Sequence, residues 1–278
     1  MTDADALKLI LRAESLGSTS LDLGRNRLSR IPAEIGRCVK LTRLILRGNR
    51  LAELPSELAK LTKLSELDLS SNQLTQLPAV VTRLHGLTVL DLHSNRLTQL
   101  PAEFGQLTKL IRLNLQGNQL RRLPAEIGKL TKLMELNLHH NKLEALPPEI
   151  GKLTAVVKLY LRQNRLRSLP PEIGKMVALS WLNLYNNELT SLPPEIGKLR
   201  QLVKLNLAAN RLTTLPPEIG QLTRLGTLDL SHNPLEHLPP QLSQLSGLRQ
   251  ILADGLDPAI LPGSLSELVR VGFRNTVD

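Results

Sequence analysis

Cysteine and aromatic residues are nearly missing from this chain: one Cys, one Trp, two Tyr and two Phe in 278 residues. A single cysteine, Cys38, excludes any disulfide within the chain. Scarce rings exclude the interleaved aromatic platforms that single-stranded nucleic acid needs. No apolar run approaches transmembrane length. The opening Met1-Thr2-Asp3-Ala4-Asp5 is acidic where a secretory leader would be basic. The expectation is a cytoplasmic location without membrane insertion. There is no G-x-x-x-x-G-K-[ST] phosphate loop, no spaced glycine fingerprint after a strand and no nucleophile constellation. Cys38 stands in the column that is Leu61, Leu84, Leu107 and Leu130 further on, which makes it a small core residue. These absences predict no catalytic residues, no cofactor and no enzyme activity.

What the chain has is repetition. Ten asparagines, Asn26, Asn49, Asn72, Asn95, Asn118, Asn141, Asn164, Asn187, Asn210 and Asn233, recur every 23 residues. Each stands two residues before a Leu and six before a Pro. A fixed period of this length signals stacked repeats, in which each copy supplies the wall that buries the apolar face of its neighbour.

Residues 133–155, LMELNLHHNKLEALPPEIGKLTA, show the repeat: L-x-x-L-x-L-x-x-N-x-L, then L-P-x-E-I-G-K-L. This pattern resembles the leucine-rich repeat family, from about Ser18 to about Pro262. The resemblance implies an α/β repeat solenoid, a horseshoe with a parallel concave sheet and short helical or 3₁₀ segments on the convex side, capped at both ends. The residues agree. In Leu136-Asn137-Leu138, alternation sends the leucines inward and the residue between them outward. Where the chain leaves the strand it strands backbone polar groups, and an Asn side chain carries both donor and acceptor to satisfy them. In L-P-P-E-I-G, Pro can start a helical turn, Glu suits its first residues, and Gly permits a tight exit.

The ends depart from the period. Thr2 and Asp5 resemble a helix start, and Leu7, Ile10, Leu11 and Glu14 fall at helical spacing up to Gly17. Residues 1–17 are therefore predicted to be a capping helix, 18–247 ten repeats, and 248–278 a degenerate repeat and C-terminal cap, one domain overall. Leu256 stands where Asn belongs, and a final helix is expected from Ser264 to Val271.

The net charge of +10 raises the question of anionic partners. On the columns six, four, two and one residues before each Asn stand seven basic residues, Arg25, Arg43, Arg47, Arg112, Lys158, Arg162 and Lys204. Six acids, Asp22, Glu66, Asp68, Asp91, Glu135 and Asp229, offset them. The excess lies on a rim, where Arg27, Arg50, Arg96, Lys142, Arg165 and Arg211 each follow an Asn, and on the convex side. Charge spread in this way serves solubility before it serves phosphate binding. His93 and His139 share a column two repeats apart, roughly 9–10 Å at the usual strand spacing, too far for one metal ion. No metal site is predicted.

The repeats stop being identical at one place. Tyr160, Trp181 and Tyr185, the whole complement of Tyr and Trp, fall on outward columns of two adjacent repeats. Lys158 and Lys204 flank Trp181 in its column, Arg162 lies beside Tyr185, and Glu135, His139, Asn183 and Asn206 complete the neighbourhood. Exposed rings beside cations are what protein-binding hot spots are made of. Mutual stacking across strands is the competing account. The L-P-P-E-I-G-K-L consensus on a 23-residue period resembles the intracellular class of these repeats, as in plant intracellular Ras-group-related proteins, animal Ras-scaffold repeats and bacterial Roco arrays. The resemblance implies a partner-binding array. No GTPase segment is present, so GTP binding does not carry over. The expected function is a monomeric, non-enzymatic scaffold that holds a protein on its concave face. The alternatives are a regulatory fragment of a larger signalling protein and, less favoured, nucleic-acid or anionic-polymer binding through the basic rim.

Overall fold

Leucine at the centre of a three-residue strand gives each repeat one buried side chain between two outward ones. In the computed structural model, which describes residues 2–260 and 263–270, that pattern recurs in two compact units, Met1–Asn141 and Lys142–Asp278. The first unit holds α1 (Asp3–Leu16) and strands β1 (Ser20–Asp22), β2 (Arg43–Ile45), β3 (Glu66–Asp68), β4 (Val89–Asp91), β5 (Arg112–Asn114) and β6 (Glu135–Asn137). They pair in parallel and in chain order, each residue opposite the one 23 positions on. The second unit holds β7 (Lys158–Tyr160), β8 (Trp181–Asn183), β9 (Lys204–Asn206), β10 (Thr227–Asp229), β11 (Gln250–Leu252) and β12 (Val269–Arg270), again parallel and sequential. The leucines of strand and strand exit, such as Leu136, Leu138, Leu182 and Leu184, are fully buried. Each contributes about 2 kcal/mol of apolar burial.

Opposite the strands run 3₁₀ turns such as Ala125–Lys129, Pro148–Lys152 and Pro194–Lys198. The first proline of each pair is extended (Pro147 φ −70°, ψ 149°) and the second opens the turn. The glycine of L-P-P-E-I-G has a reason other than a tight exit. A Cβ at Gly151 would lie 2.5 Å from the Glu172 carbonyl oxygen, and one at Gly174 would lie 2.6 Å from that of Glu195. Neither glycine has a positive φ, so the requirement is close stacking of neighbouring turns. Ala79–Thr82, which lacks both Glu and Gly, forms a short α-turn, α2, in place of the 3₁₀ turn.

The Asn column does what its chemistry predicts. Asn210 Nδ2 donates to the carbonyls of Leu184 (3.0 Å) and Leu207 (2.9 Å), while its Oδ1 accepts from the Leu189 N–H at 3.0 Å. Asn118 makes the equivalent bonds to Leu92, Leu115 and Leu97. The residue before each Asn is left-handed. It is Gly at 48 and 117, but Arg25 holds φ 57° there, and Ser71, Ser94, His140, Gln163, Asn186, Ala209 and His232 hold φ of 53–55°. The strain of about 1 kcal/mol per non-glycine residue is held by the asparagine bonds that follow it.

At the N-terminus, Thr2 and Asp5 form a reciprocal capping box, and Gly17 ends α1 in the left-handed region (φ 60°). The hydrogen bonds from Thr2 hold the Asp5 carboxyl below its ordinary pKa. The buried face of α1 is Ala6, Ile10 and Ala13, while Leu11 is 40% exposed, so the helix is rotated from the Leu7-Ile10-Leu11 face read from the sequence. Small residues let the helix backbone come close: Cys38 Sγ lies 3.4 Å from the Ile10 carbonyl. A leucine in that column would meet the helix, which explains its replacement by cysteine. Burial and the nearby Glu14 carboxylate raise the Cys38 pKa, keeping the thiol protonated and unreactive. At the other end, the predicted helix is a 3₁₀ turn, Gly263–Leu268, followed by β12. A repeat without its Asn closes on one more strand. Pro262 and Val271, which bound the repeat and the expected final helix, lie outside the described residues.

Candidate functional site

Tyr160 on β7 and Trp181 on β8 meet edge to face, with ring centroids 5.1 Å apart and planes at 75°. The register places Lys158 opposite Trp181 and Tyr160 opposite Asn183, so the two rings meet on the diagonal. Lys204, opposite Trp181 on β9, holds Nζ 4.7 Å from the indole centroid. The Arg162 guanidinium carbon stands 5.1 Å from the Tyr185 ring centroid. All three rings are half-buried, and Lys158 and Lys204 are exposed. Such an edge-to-face pair contributes about 0.5–1.5 kcal/mol, and each cation over a ring about 0.5–1 kcal/mol. These contacts hold the rings and cations against one another on the strand face.

Asn183 and Asn206 have a duty of their own. In eight repeats an Asp or Asn four residues before the repeat asparagine accepts the N–H two residues on, as in Asn183 Oδ1 to Tyr185 (3.1 Å) and Asn206 Oδ1 to Ala208 (3.0 Å). This Asx turn shapes the strand exit. Asn183 thus positions Tyr185, and at 6% exposure it offers little surface to a partner. Tyr160 occupies that same column and replaces the short acceptor with a ring. The turn bond was not read from the sequence, although the run of Asp and Asn in one column was its signal.

Glu135 and His139 belong to the first unit. Glu135 opens β6, and His139 follows it, its N–H bonded to Asn137 Oδ1 (3.0 Å) and its ring 6.4 Å from His140, edge on. The first unit pairs charge with charge on its strand face. Arg43 Nε lies 3.2 Å from Glu66, and His93 Nδ1 lies 2.7 Å from Asp91 Oδ1. That bond raises the His93 pKa above its usual value, against partial burial. Among the described residues no group of three or more His, Cys, Asp or Glu could hold a metal ion. On the rim, Arg211 and Arg167 both approach Glu188, at 3.4 and 3.8 Å, so part of the basic excess is paired there.

A feature the sequence columns did not bring out lies at the N-terminal ends of β9, β10 and β11. An open cleft of about 760 Å³ is lined by Val203, Lys204, Arg224, Gly226, Thr227, Gly247, Arg249 and Gln250. Its residues sit six, seven and nine places before the repeat asparagine, and the last two columns were not among those read as outward. The legible signal was Gly226, in a column that elsewhere carries Thr19, Thr42, Ser65, Thr88, Ile111, Met134, Val157, Ser180, Val203 and Arg249.

Family models place this architecture. The leucine-rich repeat region matches residues 66–155, the leucine rich repeat matches 154–212 and 200–255, and the two-copy leucine rich repeat matches 39–82. Among solved structures, a leucine-rich-repeat protein of Leptospira interrogans is 35% identical, with 94% of this chain and 74% of that one covered and a TM-score of 0.75. The chain belongs to the leucine-rich repeat family and has its solenoid fold. The ectodomain of the Arabidopsis thaliana receptor kinase GASSHO1/SCHENGEN3, solved in complex with Casparian strip integrity factor 2, is 38% identical over 85% of this chain and 30% of that one, TM-score 0.73. The functional domain of InlJ from Listeria monocytogenes is 28% identical over 91% and 53%, TM-score 0.74. No curated protein matches the chain. No helix among the described residues is long and apolar enough to cross a membrane.

Proposed function

We propose that this chain is a non-enzymatic protein-binding scaffold of the 23-residue intracellular class, acting in the cytoplasm as a monomer, with Trp181, Tyr160 and Tyr185 at the centre of its binding surface. One observation carries the reading. Every Tyr and Trp of the chain stands on the strand face of β7, β8 and the turn after β8, beside Lys204 and Arg162, and none serves the core. The core around them is aliphatic, so removing these rings should leave the repeat frame standing. The GASSHO1/SCHENGEN3 ectodomain in complex with its factor supports a binding use of such an array. Lys158, Lys204 and Arg162 would steer and orient the partner, with Asn183 and Asn206 shaping the exits beneath.

The test is affinity capture from native lysate, comparing the wild-type chain with the triple variant Trp181→Ala/Tyr160→Ala/Tyr185→Ala at matched folding. A protein held by the first and lost by the second supports the scaffold and its site. Equal capture by both removes this site. For a purified partner, Trp181→Ala alone should cost about 2 kcal/mol of affinity.

A further inference from the structure

The cleft beside the ring cluster carries positive charge and no negative charge. Lys204, Arg224 and Arg249 line it, and no Asp or Glu does so among the described residues. All three side chains are exposed. Arg224 bonds Gln201, a neutral group, and none of the three forms an ion pair among the described residues. Lys204 belongs to both places: it lines the cleft and holds its ammonium over Trp181.

Gly226 lines the cleft, and the fold does not require a glycine there. Its φ is not positive, and a Cβ there would meet nothing closer than the Val203 carbonyl at 3.6 Å, an ordinary contact. Gly247, by contrast, has the Thr223 carbonyl 2.5 Å from its virtual Cβ and is needed for packing. A side chain at 226, as in preceding repeats, would take up space in the cleft that Gly226 lines. Two features meet here: cations without carboxylate partners among the described residues, and a glycine the backbone does not demand.

We infer that this cleft takes the carboxylates of an acidic segment of the protein partner, whose neighbouring apolar residue sits on Trp181 and Tyr160. The inference rests on the protein-binding reading of the ring cluster. Arginine forks match carboxylates in two-point geometry. The Trp181 indole already has Lys204 over its ring and Tyr160 in edge-to-face contact, which favours an acidic peptide over a stacked nucleobase.

Peptide phage display on the full chain tests this, followed by fluorescence anisotropy with the most enriched peptide, its Asp/Glu→Asn/Gln counterpart and a single-stranded DNA of about 20 nucleotides, enough to span a typical binding groove. The enriched peptides should combine acidic with apolar residues. Neutralising the peptide, or using Arg224→Gln/Arg249→Gln, should weaken binding about tenfold, the size expected for two solvent-exposed pairs. Gly226→Val should weaken it comparably with an unchanged melting temperature, because Val203 and Val157 occupy that column without harm. Trp181→Ala should weaken the same peptide. Peptides lost on Trp181→Ala but indifferent to charge and to the cleft variants would leave the ring cluster standing and overturn the inference alone. Acidic peptides bound equally by wild type and Trp181→Ala would overturn the ring-cluster reading and the coupled site with it. Failure to enrich any peptide would overturn both, and tighter binding of the DNA through Arg224 and Arg249 would overturn the carboxylate assignment.

Discussion

The strand faces of the two units carry different side-chain chemistry on one backbone. In the first unit, β2 to β5 carry side chains that answer one another: Arg43 with Glu66, His93 with Asp91, and Asn114 Nδ2 with Asp91 at 3.3 Å. In the second, β7 to β9 carry cations that lie over rings, Lys204 over Trp181 and Arg162 over Tyr185. A charge already matched by a neighbouring charge has little left to offer a partner. A cation over a ring retains its full charge and displays apolar area beside it. The difference teaches that an identical frame separates the upkeep of the fold from the display of chemistry. The leucine and asparagine columns recur in both units with few substitutions, such as Cys38 and Met176, while the outward columns vary from repeat to repeat.

The sharpest way to break this comparison is to disturb the shared frame. Asn118→Ala in the first unit and Asn210→Ala in the second should each lower stability by about 3 kcal/mol, because each leaves several buried backbone groups without partners. Denaturant unfolding of the two variants checks this, and a large inequality between them would show that the frames are not equivalent.

Next in size is the coupling of the rings. A double-mutant cycle on Tyr160→Ala and Trp181→Ala should return about 0.5–1.5 kcal/mol of interaction in the free protein. A value near zero would mean that the two rings do not hold one another in place. Smaller still, Arg43→Met with Glu66→Gln should reveal a coupling of about 0.5 kcal/mol that fades in high salt, since both side chains are substantially exposed. The least effect belongs to His93. Its folded pKa is raised by Asp91, so its contribution to stability is complete below the ordinary histidine pKa and is lost as pH rises through the folded value. Melting temperatures at about pH 6 and about pH 8, either side of the ordinary histidine pKa, with His93→Gln as the control, should show a slightly larger loss on alkalinisation for the wild type.

Much of the fold was legible because each feature has a local cause. The 23-residue period implied the stacking, L-x-L the strands and their inward face, and the chemistry of Asn the buried ladder. The Thr2–Asp5 box and Gly17 marked the limits of α1. Its rotation was not legible, since Ala6 and Leu11 lie on opposite sides of Ile10 and only the close approach to Cys38 makes the small residues win. The glycine of the 3₁₀ turns was read for the wrong reason, because the clash it avoids is with a carbonyl of the next repeat, as between Gly151 and Glu172.

The candidate site divides in the same manner. That Tyr160, Trp181 and Tyr185 share one face follows from column arithmetic on the sequence alone, as does the flanking of Trp181 by Lys158 and Lys204. The edge-to-face angle, the choice of Lys204 to lie over the indole, and the Asx turn beneath Tyr185 depend on side-chain rotamers, which neighbours on adjacent strands select. The cleft at Gly226 depends on three segments meeting at the N-terminal ends of β9 to β11. By itself the sequence determined the repeat, the buried columns and the location of the rings, because each of these is set by period and polarity within about one repeat. The tertiary structure decided which cations lie over rings or beside a cleft and where a gap stays open, because those properties belong to surfaces assembled from residues in neighbouring repeats.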